Sequence, residues 1–445
     1  MGRRPTAWGG KVTANDTRLR AKLTLRLVAP LTVLFVMNSL DRVNASFAAL
    51  QMNADLGLSP EMYGFGASIF FFGYILLQAP HTMSQRLLGM RRWVFLTMLI
   101  WGLIATAMAF IQTATQFYVL RFALGVAEGG FAPGAVAYLA SFAPRRFLGW
   151  ATAGTMVAIP ISVIIGAPLS GWLLQVGNPV GLEGWRWMFL LEGLPPVLLC
   201  WLAFKVFAER PEEATWLTPE EAASLRRDLD AEHGATAATG GARLLAVLAS
   251  PAIWASMLIW YCILAGSYGL MFWLPQVVKE LSGGSELTIG IITALPWVGI
   301  GSGMLINAWH SDRTGERYWH IRIPAVLAAA CIVATTLVPV GPVTLILLVV
   351  GGFCLGAAQG CFWTVPTSFL TGAALPLGVT FINMCGNSAG IVSPIAIGWI
   401  RSTTGSFQAP ILAMAGLMLL AALMTVPLSA WSRSARRAAL AAAAE

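Results

Sequence analysis

The sequence predicts an all-α membrane protein of twelve transmembrane helices in two pseudo-symmetric six-helix bundles, and three observations carry that prediction. Of the 445 residues, 57% are hydrophobic and only 11% charged, and the mean hydropathy is +0.72, outside the range of ordinary water-soluble domains. Apolar stretches of bilayer-spanning length recur from end to end, and at about 20 residues per span a dozen nearly exhaust the chain. Two patterns return at an offset of 226 residues, to within one residue: Gly89-Met90-Arg91-Arg92-Trp93 as Gly315-Glu316-Arg317-Tyr318-Trp319, and Pro168 followed by Gly171-Trp172 as Pro394 followed by Gly398-Trp399. Both join segments of the same orientation. Parallel halves related by an axis along the membrane normal are therefore expected, with a site between them at midplane.

Taken in order, a polar tail (1 to 26) precedes a first bundle (27 to 208) with spans at 27 to 50, 62 to 82, 93 to 112, 116 to 140, 150 to 174 and 187 to 208. A linker (209 to 249) leads to the second bundle (250 to 430), with spans at 251 to 278, 288 to 309, 321 to 340, 343 to 368, 375 to 400 and 408 to 430, and a tail (431 to 445) closes the chain. Turn residues mark the joints: Gly57 to Pro60, Gly177 to Gly184, Gly283 and Gly284, Gly341 with Pro342, and Gly405. In the linker, Thr218-Pro219-Glu220-Glu221 is a capping box with proline at the first helical position, which predicts a surface helix over 219 to 232. The run from Gly234 to Gly241 reads as a flexible tether.

Charge sets the topology. Of 28 Lys and Arg, 23 fall in the N-terminal tail, the loops after even-numbered spans with their edges, and the C-terminal tail. Arg186, Lys279 and Arg401 lie in the opposite loops, and Arg42 and Arg121 lie inside spans. Both termini are then expected to be cytoplasmic, and the net charge of +8 is a topology signal, with no nucleic-acid partner. Residues 1 to 26 lack an apolar core, so the first span is expected to stay as an anchor. The ratio of 24 Arg to 4 Lys hints at a GC-rich bacterial genome and an inner membrane.

Enzyme and metal chemistry lack their parts. No HExxH or P-loop pattern occurs, the four histidines show no ligand spacing, and the six cysteines read as reduced packing residues within spans. No cofactor is expected, and without an ATP site any uphill transport draws on an ion gradient. Four charges inside spans stand out instead: Asp41, Arg42, Arg121 and Glu128. Each costs about 2.5 to 3.5 kcal/mol near the bilayer centre on insertion scales, so together they imply roughly 10 kcal/mol before pairing.

The chain resembles the major facilitator superfamily and, within it, the anion:cation symporters that include bacterial sugar-acid, tartrate, phthalate and hydroxyphenylacetate permeases. The resemblance spans nearly the whole chain. It rests on Leu40-Asp41-Arg42-Val43-Asn44, Asp55-Leu56-Gly57-Leu58-Ser59, Phe71-Phe72-Gly73-Tyr74, Arg121 through Pro133, Gly184-Trp185-Arg186-Trp187, Glu192-Gly193-Leu194-Pro195, and Asn383 through Gly390. Ser311-Asp312-Arg313-Thr314-Gly315-Glu316-Arg317 matches the superfamily's cytoplasmic loop motif. Two segments depart from it. Gln78-Ala79-Pro80-His81-Thr82 stands where the family commonly has glutamate followed by Pro-Ser-Asn, and Pro144 to Gly149 replaces an Arg-x-Arg-Ala loop.

The resemblance implies proton-coupled import of an organic carboxylate by alternating access. It assigns substrate recognition to Arg42 and Arg121, and proton coupling to Asp41 and Glu128. The residues independently suit those roles. A guanidinium offers a carboxylate two parallel hydrogen bonds and never loses its charge, whereas four ionised groups sum to zero and leave an entering anion uncompensated until a carboxylate takes a proton. Tyr74 and Asn387 are candidate substrate contacts, and Asn38, Gln78, Gln359, Thr367 and Asn383 candidate lining.

Asp312, Arg313, Arg317, Arg91 and Arg92 are expected to latch cytoplasmic helix ends as a gate, and Glu183, Arg186 and Glu192 to form a structural cluster. Expected partners are a small organic anion and the bilayer, with the monomer as the working unit. Alternatives stay open: Asp41/Arg42 and Arg121/Glu128 as mere internal ion pairs, the glycines from Gly125 to Gly134 as close packing or as room for substrate, and uniport, export or anion sensing in place of symport.

Overall fold

A computed structural model describes residues 14–176, 181–237, 248–339, 341–370 and 374–442, and these are helical with short turns and no strands among them. Among the described residues, ten helical stretches are long and apolar enough to cross a membrane. The two remaining expected spans have simple physical exceptions. The ninth, Trp319–Thr335, is 17 residues long. The second is broken at Leu77 into Pro60–Leu76 and the more polar Gln78–Leu88, around the segment that departs from the family pattern.

Helix ends follow the turn chemistry. Ser59 and Ser285 cap the second and eighth spans by accepting hydrogen bonds from the amides of Met62 and Thr288. Gly89 and Gly315, the repeated loop glycines, adopt the same positive φ of 76° and 70°, a conformation that side chains disfavour. The first span runs on to Asp55, beyond the expected end at 50, and is fed by Ala14–Leu23 through a π-helical turn at Thr24–Val28. The fourth span breaks after Glu128 and resumes as Phe131–Phe142.

In the linker, Glu221 accepts from the Thr218 amide at 2.9 Å while Thr218 Oγ1 accepts from the Glu221 amide at 3.2 Å, which is the reciprocal capping box. Its helix extends to Ala237, and the rest of the glycine and alanine run lies outside the described residues. Lys22 reaches this helix, 2.6 Å from Glu221, and Leu19, Leu23 and Leu225 are buried nearby in the chain's core. The linker helix is thus anchored to the N-terminal helix.

The halves meet by the predicted symmetry. Gly64 of the second span lies against the Pro394 carbonyl of the eleventh, and Gly290 of the eighth lies against the Ala167 carbonyl and Pro168 of the fifth. One turn nearer the helix ends, Gly398 meets Pro60 and Gly171 meets Glu286. Each position in one contact is 226 residues from its counterpart or within one residue of it. Tyr63 donating to the Phe272 carbonyl at 3.1 Å and Lys279 donating to the Leu50 carbonyl at 2.7 Å join the same end. These contacts close the end of the bundle that carries Gly57, Gly283 and Gly405.

Candidate functional site between the two halves

Asp41 and Arg42 lie mid-helix in Ala29–Asp55, and consecutive residues point about 100° apart around a helix, so they cannot serve one neighbour. Arg42 reaches the fourth span, where its Nη2 stands 3.2 Å from Glu128 Oε2, and it also donates to Asn38 Oδ1 at 3.4 Å. Arg121 makes no salt bridge among the described residues. Its Nη1 donates to the Asp41 main-chain carbonyl at 3.4 Å, while its Nε and Nη2 are buried without a hydrogen-bond partner. Neither pairing envisaged from the sequence occurs, because two helical turns hold Arg121 and Glu128 about 10 Å apart along their helix.

Burial is nearly complete. Asp41 and Arg121 are each 1% exposed and Glu128 not at all, and only the Arg42 side chain, at 14%, touches the surface. Asp41 Oδ1 accepts from Asn44 Nδ2 at 3.3 Å. Asp41 Oδ2 and Glu128 Oε1 have no hydrogen-bond partner. A buried charge left half-paired is costly, so this cluster holds unused donors and acceptors that packing alone does not explain.

Glycines put the aromatic floor in place. A Cβ on Gly125 or Gly129 would overlap the carbonyls of Phe70 or Tyr74, so the fourth span approaches the second to backbone contact. Close packing is therefore the role of these two glycines. The approach sets the Phe70 ring 4.7 Å from the Arg121 guanidinium and 5.3 Å from that of Arg42, with Tyr74 5.2 Å from Arg42. Cation–π contact of this kind contributes about 0.5 to 2 kcal/mol and leaves the guanidinium edges free.

The second half presents uncharged polar groups. Tyr268 donates to Asn387 Oδ1 at 2.8 Å, Asn387 Nδ2 donates to the Asn383 carbonyl at 3.0 Å, and Gln359 donates to Ser267 Oγ at 3.4 Å. Phe71 links the halves, its ring centroid 4.5 Å from that of Tyr268 and its edge against Gly390. Tyr268 is also near enough to Arg42 to interact with it electrostatically. Tyr74 thus meets Arg42, and Asn387 and Gln359 meet the seventh span, while Asn383 contributes its carbonyl to Asn387 on its own helix. Gln78 is half-buried at the break in the second span, and Thr367 is exposed, bonded to the Trp363 carbonyl of its own turn.

Sequence reasoning missed Asn44, Phe70, Ser267 and Tyr268. Asn44 was legible, three residues from Asp41 and on its face; the others depend on which helices meet. Of the expected gate, Arg317 pairs with Asp312 at 2.6 Å and Arg313 stacks on Trp309. Arg91 donates to the Phe207 carbonyl and lies 3.9 Å from Glu213, and Arg92 is exposed. Arg313 and Arg317 thus bind within their own half, and Arg91 binds Phe207 of its own half and Glu213 of the linker. The expected cluster at the start of the sixth span divides: Arg186 binds Glu183 at 2.9 Å, but Glu192 turns inward to accept from Ser170 at 2.8 Å.

A cavity of 720 Å³ lies elsewhere, among Pro251, Tyr261, Cys385 and Trp431, and its lining carries no charged side chain.

A fold of twelve membrane helices in two repeated halves, with a buried charged cluster, is that of a membrane transporter. The chain belongs to the Major Facilitator Superfamily, whose family model matches residues 31–394. That membership makes it a multi-pass membrane transport protein rather than an enzyme. It is 40% identical over 414 residues, 93% of this chain and 95% of the relative, to a protein of Agrobacterium vitis named "Putative tartrate transporter". It is 34% identical over 403 residues, 91% of this chain and 93% of the relative, to the quinolone resistance transporter of Acinetobacter baumannii. Among solved structures, a bacterial homolog of the human lysosomal transporter Spinster superposes with a TM-score of 0.72 at 16% identity, covering 94% of this chain and 97% of that one, which is a likeness of fold.

Proposed function

We propose that this protein imports an organic carboxylate across a bacterial inner membrane by proton symport, as a monomer with both termini in the cytoplasm. The observation that carries the reading is Arg121: a buried guanidinium over the Phe70 ring with two nitrogens unpartnered, the arrangement that a carboxylate fork completes. The relative named for tartrate makes tartrate the first substrate to try.

Arg42 is held by Glu128. A proton on Glu128 cancels that attraction and frees Arg42, so the substrate carboxylate meets two arginines instead of one and a repelling carboxylate. Asp41, whose backbone carbonyl holds Arg121, is the second acceptor of a proton. Tyr268, Asn387 and Gln359 supply hydrogen bonds from the other half to the rest of the substrate. The closed end is the periplasmic one under the positive-inside rule. Opening it requires the glycine contacts at Gly64, Gly171, Gly290 and Gly398 to part.

The test is uptake of tartrate by purified protein in liposomes, with an inward proton gradient and with the gradient collapsed. Gradient-dependent accumulation supports symport, and equal uptake in both conditions leaves uniport. The relative that confers quinolone resistance favours a second reading, proton-driven export, and the same liposomes loaded with norfloxacin distinguish it by efflux against the imposed gradient.

A further inference from the structure

Glu192 is a fifth buried charge, grouped from the sequence with Glu183 and Arg186 as a structural cluster. It is 7% exposed, bonds Ser170 through one oxygen, and leaves Oε2 buried without a partner. No salt bridge to Glu192 occurs among the described residues. Its neighbours can be named from each packed element: Ser170 on the fifth span, Thr106 beside Gly193 on the third, and Asn44 and Asp41 on the first. Beyond Asp41 stand Arg121, Arg42 and Glu128. The Asn44 amide lies between the two carboxyls, donating to Asp41 Oδ1 and interacting with Glu192.

Two arginines now face three carboxylates, so with no substrate one carboxyl must carry a proton for the cluster to be neutral. Glu192 has no cation to oppose that proton. Asn44 Oδ1 also lacks a donor, and a protonated Glu192 supplies one. Position along the helices gives the cluster a direction. Counted from the closed ends of their spans at 1.5 Å per residue, Ser170 lies about 8 Å deep, Glu192 about 12 Å, Asn44 about 16 Å and Asp41 about 21 Å.

We infer that Glu192 is a proton-relay residue of the transport cycle, standing between the closed end and Asp41 inside the first bundle. Its proton passes to the Asp41 carboxylate, Glu192 is left as a carboxylate, and a proton from the closed side restores it. This route lies within one half and is separate from the opening between the halves. The inference rests on the proton-symport reading above.

Glu192→Gln keeps the side chain's size and its hydrogen bond but cannot titrate. In pH-difference infrared spectra of the purified protein in lipid, the wild type is expected to show a carboxylic-acid carbonyl band that the variant lacks. With tartrate in liposomes, the variant is expected to lose proton-driven accumulation while keeping tartrate counterflow, and Glu192→Asp to recover accumulation in part. Identical infrared spectra, or wild-type accumulation with a wild-type pH profile in Glu192→Gln, would overturn the inference. If the wild type moves no proton with tartrate yet loses the infrared band on substitution, it is the symport reading that fails, and Glu192 remains a titrating group.

Discussion

Arg42 crosses from the first span to hold Glu128 in the fourth at 3.2 Å, while Arg121, on the same helix as Glu128, has no carboxylate partner among the described residues. The two arginines therefore differ: one is released by a proton, the other stands ready. Glu128→Gln and Asp41→Asn are expected to abolish accumulation driven by a proton gradient, reducing it to equilibration, while leaving counterflow exchange. Measuring both modes in one liposome preparation separates coupling from folding, and unchanged accumulation in both variants would refute their coupling role.

Arg121 is expected to dominate binding. Truncating one member of a buried charge-assisted contact costs about 2 kcal/mol or more, roughly a thirtyfold weakening, so Arg121→Ala should lose at least that much substrate affinity by calorimetry. Arg121→Lys restores the charge without the planar fork and should fall between wild type and alanine. Equal affinity in wild type and Arg121→Ala would place the substrate elsewhere.

Much of this site was legible because helices print their faces in the sequence. The charges in apolar runs, the capping box at Thr218 and the 226-residue repeat are local or periodic features, and they stand in the structure as read. Pairing was not legible. Spacing puts Arg121 and Glu128 on one face, but it does not say that Gly125 and Gly129 admit Phe70 and Tyr74, nor that Glu128 then meets Arg42. Glu192 was misgrouped for the same reason. It sits six residues from Arg186, and its partners Ser170 and Asn44 lie on other helices, so only tertiary packing separates it from the surface pair.

The clasp between the N-terminal and linker helices should depend on pH. Burial pushes the Glu221 carboxyl up, but the Lys22 hydrogen bond, the Thr218 amide, and the charges of Lys22 and Arg18 outweigh it and hold Glu221 below its ordinary value of 4.5. A depressed carboxyl contributes stability above its unfolded value and loses it as pH falls through the folded one. Protection of Ala14–Leu23 from hydrogen exchange, corrected for intrinsic rate, is thus expected to be flat from pH 7 to about 5 and to decline below about 4.5. A partly exposed pair contributes up to about 1 kcal/mol, so the loss should be fivefold or less. Glu221→Gln should start low and show no pH step; a step of wild-type size in that variant would assign it to another group.

The glycine contacts between halves should set which end of the transporter is open. A Cβ on Gly290 would overlap the Ala167 carbonyl, a backbone atom that cannot rotate away, so Gly290→Val must push the fifth and eighth spans apart. The cost falls only on the state in which this end is closed, and the population shifts toward the opposite one. A cysteine at position 287, beside the Gly171 contact, placed in a background lacking the six native cysteines, should then react faster with a polar maleimide in Gly290→Val. Gly416 has open space where its Cβ would lie, so Gly416→Ala should label at the parent rate. Equal labelling of Gly290→Val and Gly416→Ala would mean that these contacts do not govern closure.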